Sequence, residues 1–154
     1  MIRLYREQDR QALKDITAEV FRPVAIDANI EDAFGPIGGL DWSQRKLRHI
    51  DADCDANPAG IFVAEQDGEV VGYITSRVDH ETKVGWIPNL AVSGRCGGQG
   101  IAHRLMERVL ECLREQGMEL VRIETLEQNA VGQHLFPKFG FQETARQIHY
   151  AMRL

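Results

Sequence analysis

One glycine-rich stretch of the sequence has the composition of a phosphate-binding loop. The run LAVSGRCGGQGIA (residues 90–102) ends a strand, turns through glycines and begins a helix. This succession points several free amide N–H groups and the positive end of the helix dipole at one place. Glycine is suited to such a loop because a Cβ would block close approach of a ligand to the backbone. This geometry suits a phosphate or pyrophosphate, but the glycine spacing alone also fits an ordinary glycine-rich connection, which is common before helices.

Two familiar phosphate motifs do not fit this loop. No Gly-Lys-Ser/Thr follows it, which excludes a P-loop. The dinucleotide-binding fingerprint needs a third glycine where the chain has His103.

The elements that must position the loop follow from hydrophobic periodicity and turn signals. They predict the order β-α-α-β-β-β-α-β-α-β-β, an α/β domain with a mixed sheet. The expected features, in chain order, are a helix capped by Asp9 and ended by Pro23, an irregular stretch over residues 26–40, a helix opened by Asp41, a hairpin at Asp67-Gly68, a third strand ending at residues 90–92, a helix from Ile101 to Gly117, a strand over 120–126, a helix over 130–139 and a closing hairpin from Phe141.

Composition excludes several classes of protein. A length of 154 residues, 44% of them hydrophobic, predicts one domain over residues 1–154. The net charge of −5 leaves no basic footprint for nucleic acid. The start of the chain resembles a strand rather than a signal peptide, and no apolar run is long enough to span a membrane. Three widely spaced cysteines, Cys54, Cys96 and Cys112, suggest free thiols in a reducing cytosol. The expected location is cytoplasmic.

Two segments together resemble the GCN5-related N-acetyltransferase (GNAT) superfamily. The run GQGIAHRLM (residues 98–106) is similar to that family's acetyl-CoA loop and helix, and NAVGQHLFPKFGF (residues 129–141) is similar to its second signature. The resemblance implies a GNAT domain whose mixed, mostly antiparallel sheet is flanked by helices. It also implies acetyl-CoA as co-substrate without a metal, and transfer of an acetyl group by direct attack to a primary amine of a small molecule or of a protein or peptide.

The resemblance assigns the acetyl-CoA site to both segments. In the preferred register Gly97 occupies the family's first Gln/Arg position, and Arg95 is expected to reach the phosphates from the loop. The N–H near Val92 is expected to polarise the thioester carbonyl at a splay between strands. The residues implied are Leu90, Ala91, Val92, Arg95, Gly97, Gly98, Gln99, Gly100, Ile101, Ala102, His103, Asn129 and Phe136.

The same resemblance proposes catalytic residues. Glu124 lies five residues before Asn129, where a subset of the family has its general base; a solvated carboxylate paired with Arg122 or Arg146 is the alternative. Asn129 is in addition expected to cap the following helix.

The general acid is missing from its usual position. Phe136 stands where the family often has a tyrosine that protonates the leaving thiolate. Tyr150 and Tyr73 are the substitutes considered, each with a half-buried strand tyrosine as the alternative. Water can also protonate a thiolate.

Two other functions remain open at this level. Phe136 and Gly97 motivate a catalytically idle acyl-CoA-binding or regulatory module, and a phosphate-binding interaction protein is a more distant alternative. The acidic stretch over residues 25–55 suggests a cationic amine as substrate, with ordinary solvated carboxylates as the alternative. Neither nucleic acid nor a membrane is an expected partner, and a homodimer is retained as a candidate assembly.

Overall fold

The computed structural model describes residues 1–154. The α-helices are α1 (Arg10–Val20), α2 (Ile26–Phe34), α3 (Trp42–Ala56), α4 (Ile101–Glu115) and α5 (Ala130–Leu135). The strands are β1 (Ile2–Leu4), β2 (Phe62–Gln66), β3 (Glu69–Ile74), β4 (Arg77–Asp79), β5 (Val84–Trp86), β6 (Leu90–Val92) and β7 (Leu120–Arg122).

The strands form two sheets, which confirms a mixed, mostly antiparallel architecture. One sheet has four antiparallel strands in the order β1-β2-β3-β6. The other has the order β4-β5-β7, with β5 and β7 parallel. The predicted hairpin between β2 and β3 is present, and Asp67 and Gly68 turn it with φ of +51° and +79°. Two consecutive left-handed residues suit a tight hairpin.

Helices cover both faces of the four-stranded sheet. The apolar stripe of α4, including Leu105 and Val109, packs on one face. Leu13 of α1 and Ile50 of α3 pack with Tyr73 on the other. As predicted, the Asp41 carboxylate caps α3 by accepting from the amide of Gln44 at 2.9 Å. These two cores hold the sheet between helices.

The predicted third strand is two strands that belong to different sheets. The N–H of Ile87 donates to the carbonyl of Arg122 at 3.0 Å, and two residues later the carbonyl of Asn89 accepts from the N–H of Thr75 at 2.9 Å. The chain thus leaves β7 and joins β3 within three residues. The strand predicted over 120–126 accordingly ends at Arg122.

Two predictions in the N-terminal half are wrong. Residues 26–40 are not irregular throughout, because α2 occupies Ile26–Phe34 and ends at Gly35 with φ of +75°. Asp9 does not cap α1 through its side chain; its carboxylate instead accepts from the guanidinium of Arg3 and the amide of Arg6. The carboxylate is thus used by the half-buried Arg3 and by the turn before the helix rather than by an amide of α1.

The helix predicted over 130–139 is shorter than expected. The α-helix α5 ends at Leu135, and a 3₁₀ turn continues over Phe136–Phe139. Pro137 explains the change, since proline has no N–H to continue the α-helical pattern.

The predicted closing hairpin is wrong for this chain on its own. Residues 141–154 contain no strand, and their amides donate to no backbone carbonyl. Ile148, Tyr150 and Met152 alternate as a strand would, yet their exposed fractions are 75%, 90% and 78%. An alternating pattern makes a strand only where another strand edge accepts its hydrogen bonds, and this segment meets none.

No helix has both the length and the hydrophobicity needed to cross a bilayer. Cys54, Cys96 and Cys112 are buried, unpaired thiols. The cytoplasmic location stays a prediction.

Candidate functional site

The backbone amides at the start of α4 have no acceptor within the protein. None of the N–H groups from Gly98 to His103 donates to a carbonyl or to a capping side chain. Gly98 and Gly100 adopt left-handed backbone, with φ of +76° and +70°. A Cβ built at Gly98 meets no atom within 4 Å, so the space before the loop is open. Free consecutive amides at the positive end of a helix suit a phosphate group, and the term "amide cluster" denotes Gly98–His103 below.

Two flanking side chains fix this loop. The Glu19 carboxylate of α1 accepts from the N–H of Gly94 at 2.7 Å and from the hydroxyl of Ser93 at 3.0 Å. On the other side, the Gln66 amide donates to Oε1 of Gln99 at 2.9 Å. Because both ends are anchored, the amide cluster is organised before any ligand arrives, which lowers the entropic cost of binding.

The arginine that contacts the amide cluster is Arg104 rather than Arg95, the residue predicted from the sequence. Arg95 is bound to the Glu69 carboxylate at 2.5 Å, and this hydrogen bond raises the pKa of the guanidinium. Arg104 instead lies at the loop, donating to the carbonyl of Gln99 at 3.0 Å. Sequence reasoning missed Arg104, although its position one helical turn after Gly100 was the available signal. A cation beside the amide cluster strengthens its attraction for phosphate.

The other predicted loop residues support the backbone. Ala91 and Ile101 are buried in the two cores. The side chain of His103 lies on the surface of α4, and the centroid of its ring is 4.5 Å from that of Phe139. Gly97 has an ordinary φ of −60°, and a Cβ there would lie 3.4 Å from the carbonyl oxygen of Gly94. The loop therefore offers amides rather than side chains.

A gap opens beside β6. This strand is the edge of its sheet, and no backbone hydrogen bond joins it to residues 123–126. The bonds from Ser93 to Val71 and from Thr75 to Asn89 fix the pairing with β3. Since hydrogen-bonded pairs alternate in an antiparallel ladder, the N–H groups of Leu90 and Val92 point away from β3 into the gap. The loss of backbone pairing after Ile87 and Arg122 agrees with the predicted splay between these segments.

Buried polar groups hold the chain where it changes sheet. The Asn89 side chain donates to Asp53 at 2.7 Å and accepts from the ammonium of Lys46 at 2.6 Å. Asp53 also accepts from the hydroxyl of Thr75 at 2.9 Å. Burial lowers the pKa of Lys46. This network fixes the start of β6 and with it one wall of the gap.

Glu124 is an exposed carboxylate held by an indole. Its Oε2 accepts from Nε1 of Trp86 at 3.1 Å. The alternative ion pairs are absent, because Arg146 binds Glu143 and Glu127, and Arg122 forms no ion pair. Sequence reasoning missed Trp86, since its register opposite β7 becomes visible only in the folded sheet. Glu124 is thus unneutralised and oriented, as a proton acceptor must be.

The second signature segment has the predicted structural role. Asn129 caps α5, with its side-chain oxygen 3.1 Å from the N–H of Gly132, and its amide donates to the Thr125 hydroxyl at 2.8 Å. Phe136 packs against the α4 core and meets the ring of Phe141 edge-on at 6.0 Å.

Neither tyrosine considered as an acid lies in the gap. Tyr73 is buried under α1, where its hydroxyl is 2.6 Å from that of Thr17 and burial raises its pKa. Tyr150 was predicted to lie in a final strand, but it lies in the exposed segment after Phe141, which contains no strand. The amide cluster and Val92 thus adjoin along the chain, while Glu124 is placed by its bond to Trp86.

Comparison with known proteins yields a family and a shared fold. A model described as the acetyltransferase (GNAT) family matches residues 27–141. The chain is 29% identical over 109 residues to the mycothiol acetyltransferase of Thermomonospora curvata, covering 71% of this chain and 36% of that protein. It is 32% identical over 103 residues to the N-alpha-acetyltransferase of Sulfurisphaera tokodaii, covering 60% and 62%. The chain thus spans less than two thirds of either relative's length.

A solved structure shares the fold at low sequence identity. The PaiA N-acetyltransferase of Thermoplasma acidophilum, in complex with coenzyme A, superposes with a TM-score of 0.76 at 16% identity. The match covers 96% of this chain and 92% of that one.

Proposed function

The chain belongs to the acetyltransferase (GNAT) family, and on that premise we propose that it is an acetyl-CoA-dependent N-acetyltransferase acting on a primary amine of a small molecule or peptide. The amide cluster carries this proposal, because Gly98–His103 present free donors beside the open edge of β6. Donors for phosphates and a slot for an extended arm are what acetyl-CoA requires.

The residues around the gap fit acetyl-CoA. The amide cluster and Arg104 would bind the pyrophosphate, whose charge they complement. The pantetheine arm would enter between β6 and residues 123–126, with the half-buried ring of Phe136 as apolar contact. Gly98 leaves open space in front of the loop, and any side chain at position 98 would occupy part of that space.

The chemistry assigns one task to each group around the gap. Acetyl-CoA supplies the acetyl group as a thioester. Glu124 accepts a proton from the acceptor amine, directly or through water, and the nitrogen lone pair then attacks the carbonyl carbon. The N–H of Val92 donates to the carbonyl oxygen as negative charge develops there. The C–N bond forms and the C–S bond breaks. The nitrogen loses its second proton to water, and the thiolate takes a proton from water, since Phe136 has none to give.

The second candidate is an idle acyl-CoA-binding module, favoured by the absence of a tyrosine from the gap. One experiment separates the two. Purified protein is mixed with acetyl-CoA and a panel of primary amines, and released CoA thiol is measured. We expect thiol release that depends on both the amine and the enzyme. Tight acetyl-CoA binding without thiol release would favour the idle module. A melting temperature raised as much by ATP as by acetyl-CoA would reject both candidates.

The acceptor need not carry extra positive charge. The prediction of a cationic amine depended on acidic residues of the 25–55 stretch, and those carboxylates have partners of their own. Asp27 pairs with Arg45, Glu31 and Asp32 with Arg22, Asp51 with Arg10 and Lys14, Asp53 with Arg77 and Asp55 with Arg10, while Asp41 caps α3. Little free negative charge is left to attract a cation, so the proposal is a primary amine without that restriction.

We also propose a homodimer formed through residues 141–154. This segment has the alternation of a strand but no partner, and β7 pairs with β5 on one edge only. Leu120 on β7 is 58% exposed. Arg146 contacts Glu127 in the loop before α5, and Arg153 donates to the carbonyl of Phe34 at the end of α2, so neither contact joins the segment to β7. Two copies related by a two-fold axis could each add this strand to the β7 edge of the other.

Light scattering after size-exclusion chromatography tests the dimer. Wild type is expected at twice the 17.4 kDa mass of one chain, and Ile148→Lys/Met152→Lys at the mass of one chain. Val131→Lys, at an exposed apolar residue of α5, is the matched control and should remain dimeric. A monomeric wild type would reject this assembly.

A further inference from the structure

The three-stranded sheet carries an unassigned row of side chains next to Glu124. Arg77, Trp86 and Arg122 lie directly opposite one another on β4, β5 and β7. The two guanidinium carbons are 5.6 and 5.2 Å from the centroid of the indole. The row lines a surface cavity of about 390 Å³. The row thus combines two guanidinium groups and one indole on a concave surface.

The two arginines differ in how their charge is balanced. Arg77 donates from Nε and Nη2 to Oδ1 of buried Asp53 at 3.0 and 2.8 Å, so its charge is neutralised. Arg122 stacks on Trp86 but has no hydrogen bond and no ion pair with any side chain. Asp79 also lines the cavity, and its carboxylate accepts from the amides of Glu81 and Thr82 in the turn. Arg122 is therefore an oriented cation with its donors free.

This free cation is close to the proposed base. Glu124 follows Arg122 by two residues, a distance of about 6.6 Å along an extended chain. Trp86 contacts both residues: its ring face meets the guanidinium of Arg122, and its Nε1 donates to Glu124. A positive and a negative group are thus both in contact with one indole.

We propose that the acceptor is a free amino acid or a similar small amine that carries a carboxylate. Its carboxylate binds the guanidinium of Arg122, which places the amine at Glu124 and the thioester. Arginine binds carboxylates through paired N–H donors, which fixes direction as well as position. Trp86, which lines the cavity, contacts the acceptor's carbon skeleton. This assignment depends on the proposed acetyltransferase function and names its substrate class.

The test compares amino acids with their carboxamides as acceptors. Each pair has the same carbon skeleton, and only the amino acid carries the carboxylate. The carboxamide has the less basic amine and is more fully neutral near pH 7.5, so a preference for the acid cannot come from amine protonation. Thiol release gives kcat and KM for wild type, Arg122→Gln and Arg122→Lys. Arg108→Gln is the matched control, because Arg108 stacks on Phe62 at 4.5 Å on the α4 side of the sheet.

We expect wild type to prefer the acid by about tenfold or more in kcat/KM, the effect of one charge-assisted contact. Arg122→Gln should remove that preference by raising KM for the acid, while the carboxamide is little affected. Arg122→Lys should restore part of it, and Arg108→Gln should retain it in full. Equal use of acid and carboxamide by wild type, or an unchanged preference in Arg122→Gln, would overturn the inference and leave the acetyltransferase proposal standing. Failure of every amine to release thiol would overturn the proposed function itself.

Discussion

The two sheets of the molecule differ in how their faces and edges are covered. The four-stranded sheet lies between α4 and the pair α1 and α3, with Leu105, Ile50 and Ile74 fully buried. The three-stranded sheet is packed on one face only, where Gly85 lies against Leu113. Its other face presents Trp86, and its β7 edge has no partner.

Stability and chemistry are therefore separated in this fold. The covered sheet buries apolar area, which is the main source of folding free energy. The groups available to a ligand, which are the amide cluster, Glu124 and Arg122, lie at its margin or on the open sheet. Asn89 joins the two regions through its bonds to Asp53 and Lys46. Changes in the first region should lower stability, and changes in the second should alter function at constant stability.

The largest effect is expected in the covered region. Leu105→Ala removes a fully buried side chain and should lower the free energy of unfolding by about 2–5 kcal/mol. Leu120→Ala, on exposed β7, should change it by no more than about 0.5 kcal/mol. Urea unfolding of both variants checks this, and similar losses at the two positions would contradict the division.

Glu124→Gln is the counterpart in the open region. The amide keeps the shape of the side chain but accepts no proton, so turnover should fall about 10²-fold or more. The melting temperature and acetyl-CoA affinity should hardly change, because Glu124 is exposed and bonded only to Trp86. Steady-state kinetics with calorimetry measures all three. Unaltered turnover would leave the proton to water or to the substrate.

Asp9 tests the covered region through pH. The guanidinium of Arg3, bonded at 2.7 and 2.9 Å, holds the pKa of the Asp9 carboxyl below its usual value. A depressed pKa adds stability that is fully present above the unfolded value of about 3.9 and is lost as pH falls through the folded value. Asp9→Asn should therefore lower the free energy of unfolding by about 1.5–3 kcal/mol at pH 7. The difference from wild type should shrink below about pH 4. A constant difference across this range would refute the assignment.

Phe136 should give the smallest effect. Its ring is half-buried between the α4 core and Phe141, so Phe136→Ala should weaken acetyl-CoA binding by about 1 kcal/mol, or about fivefold. Phe136→Tyr should preserve or raise turnover by adding a proton donor. Activity found in Phe136→Tyr but absent from wild type would mean that the natural chain has lost its acid.

Local signals in the sequence predicted the elements that local chemistry decides. The helical spacing of Leu105 and Val109 predicted α4, Asp41 with Gln44 predicted the start of α3, and Asp67-Gly68 predicted the hairpin. Glycine-rich composition also located the amide cluster. In each case the physical cause lies within a few residues of the feature.

Features that depend on distant parts of the chain were not predictable in this way. The break between β5 and β6 follows from Ile87 bonding to β7 and Asn89 to β3, which no local pattern encodes. Residues 141–154 have the alternation of a strand without a partner edge, and α2 was obscured by the glycines that follow it. Trp86 lies in the site because it is paired directly opposite Arg122 in the folded sheet, and no local pattern encodes that register.

The amide cluster is tested most directly by the melting temperature with and without acetyl-CoA. Gly100→Asp places bulk and negative charge where the phosphates should bind. Gly117→Asp is the matched control, since Gly117 has φ of +78° and open space at the other end of α4. Wild type and Gly117→Asp should be stabilised by acetyl-CoA through mass action, whereas Gly100→Asp should fold and show no shift. A full shift in Gly100→Asp would contradict the assignment of acetyl-CoA to this loop.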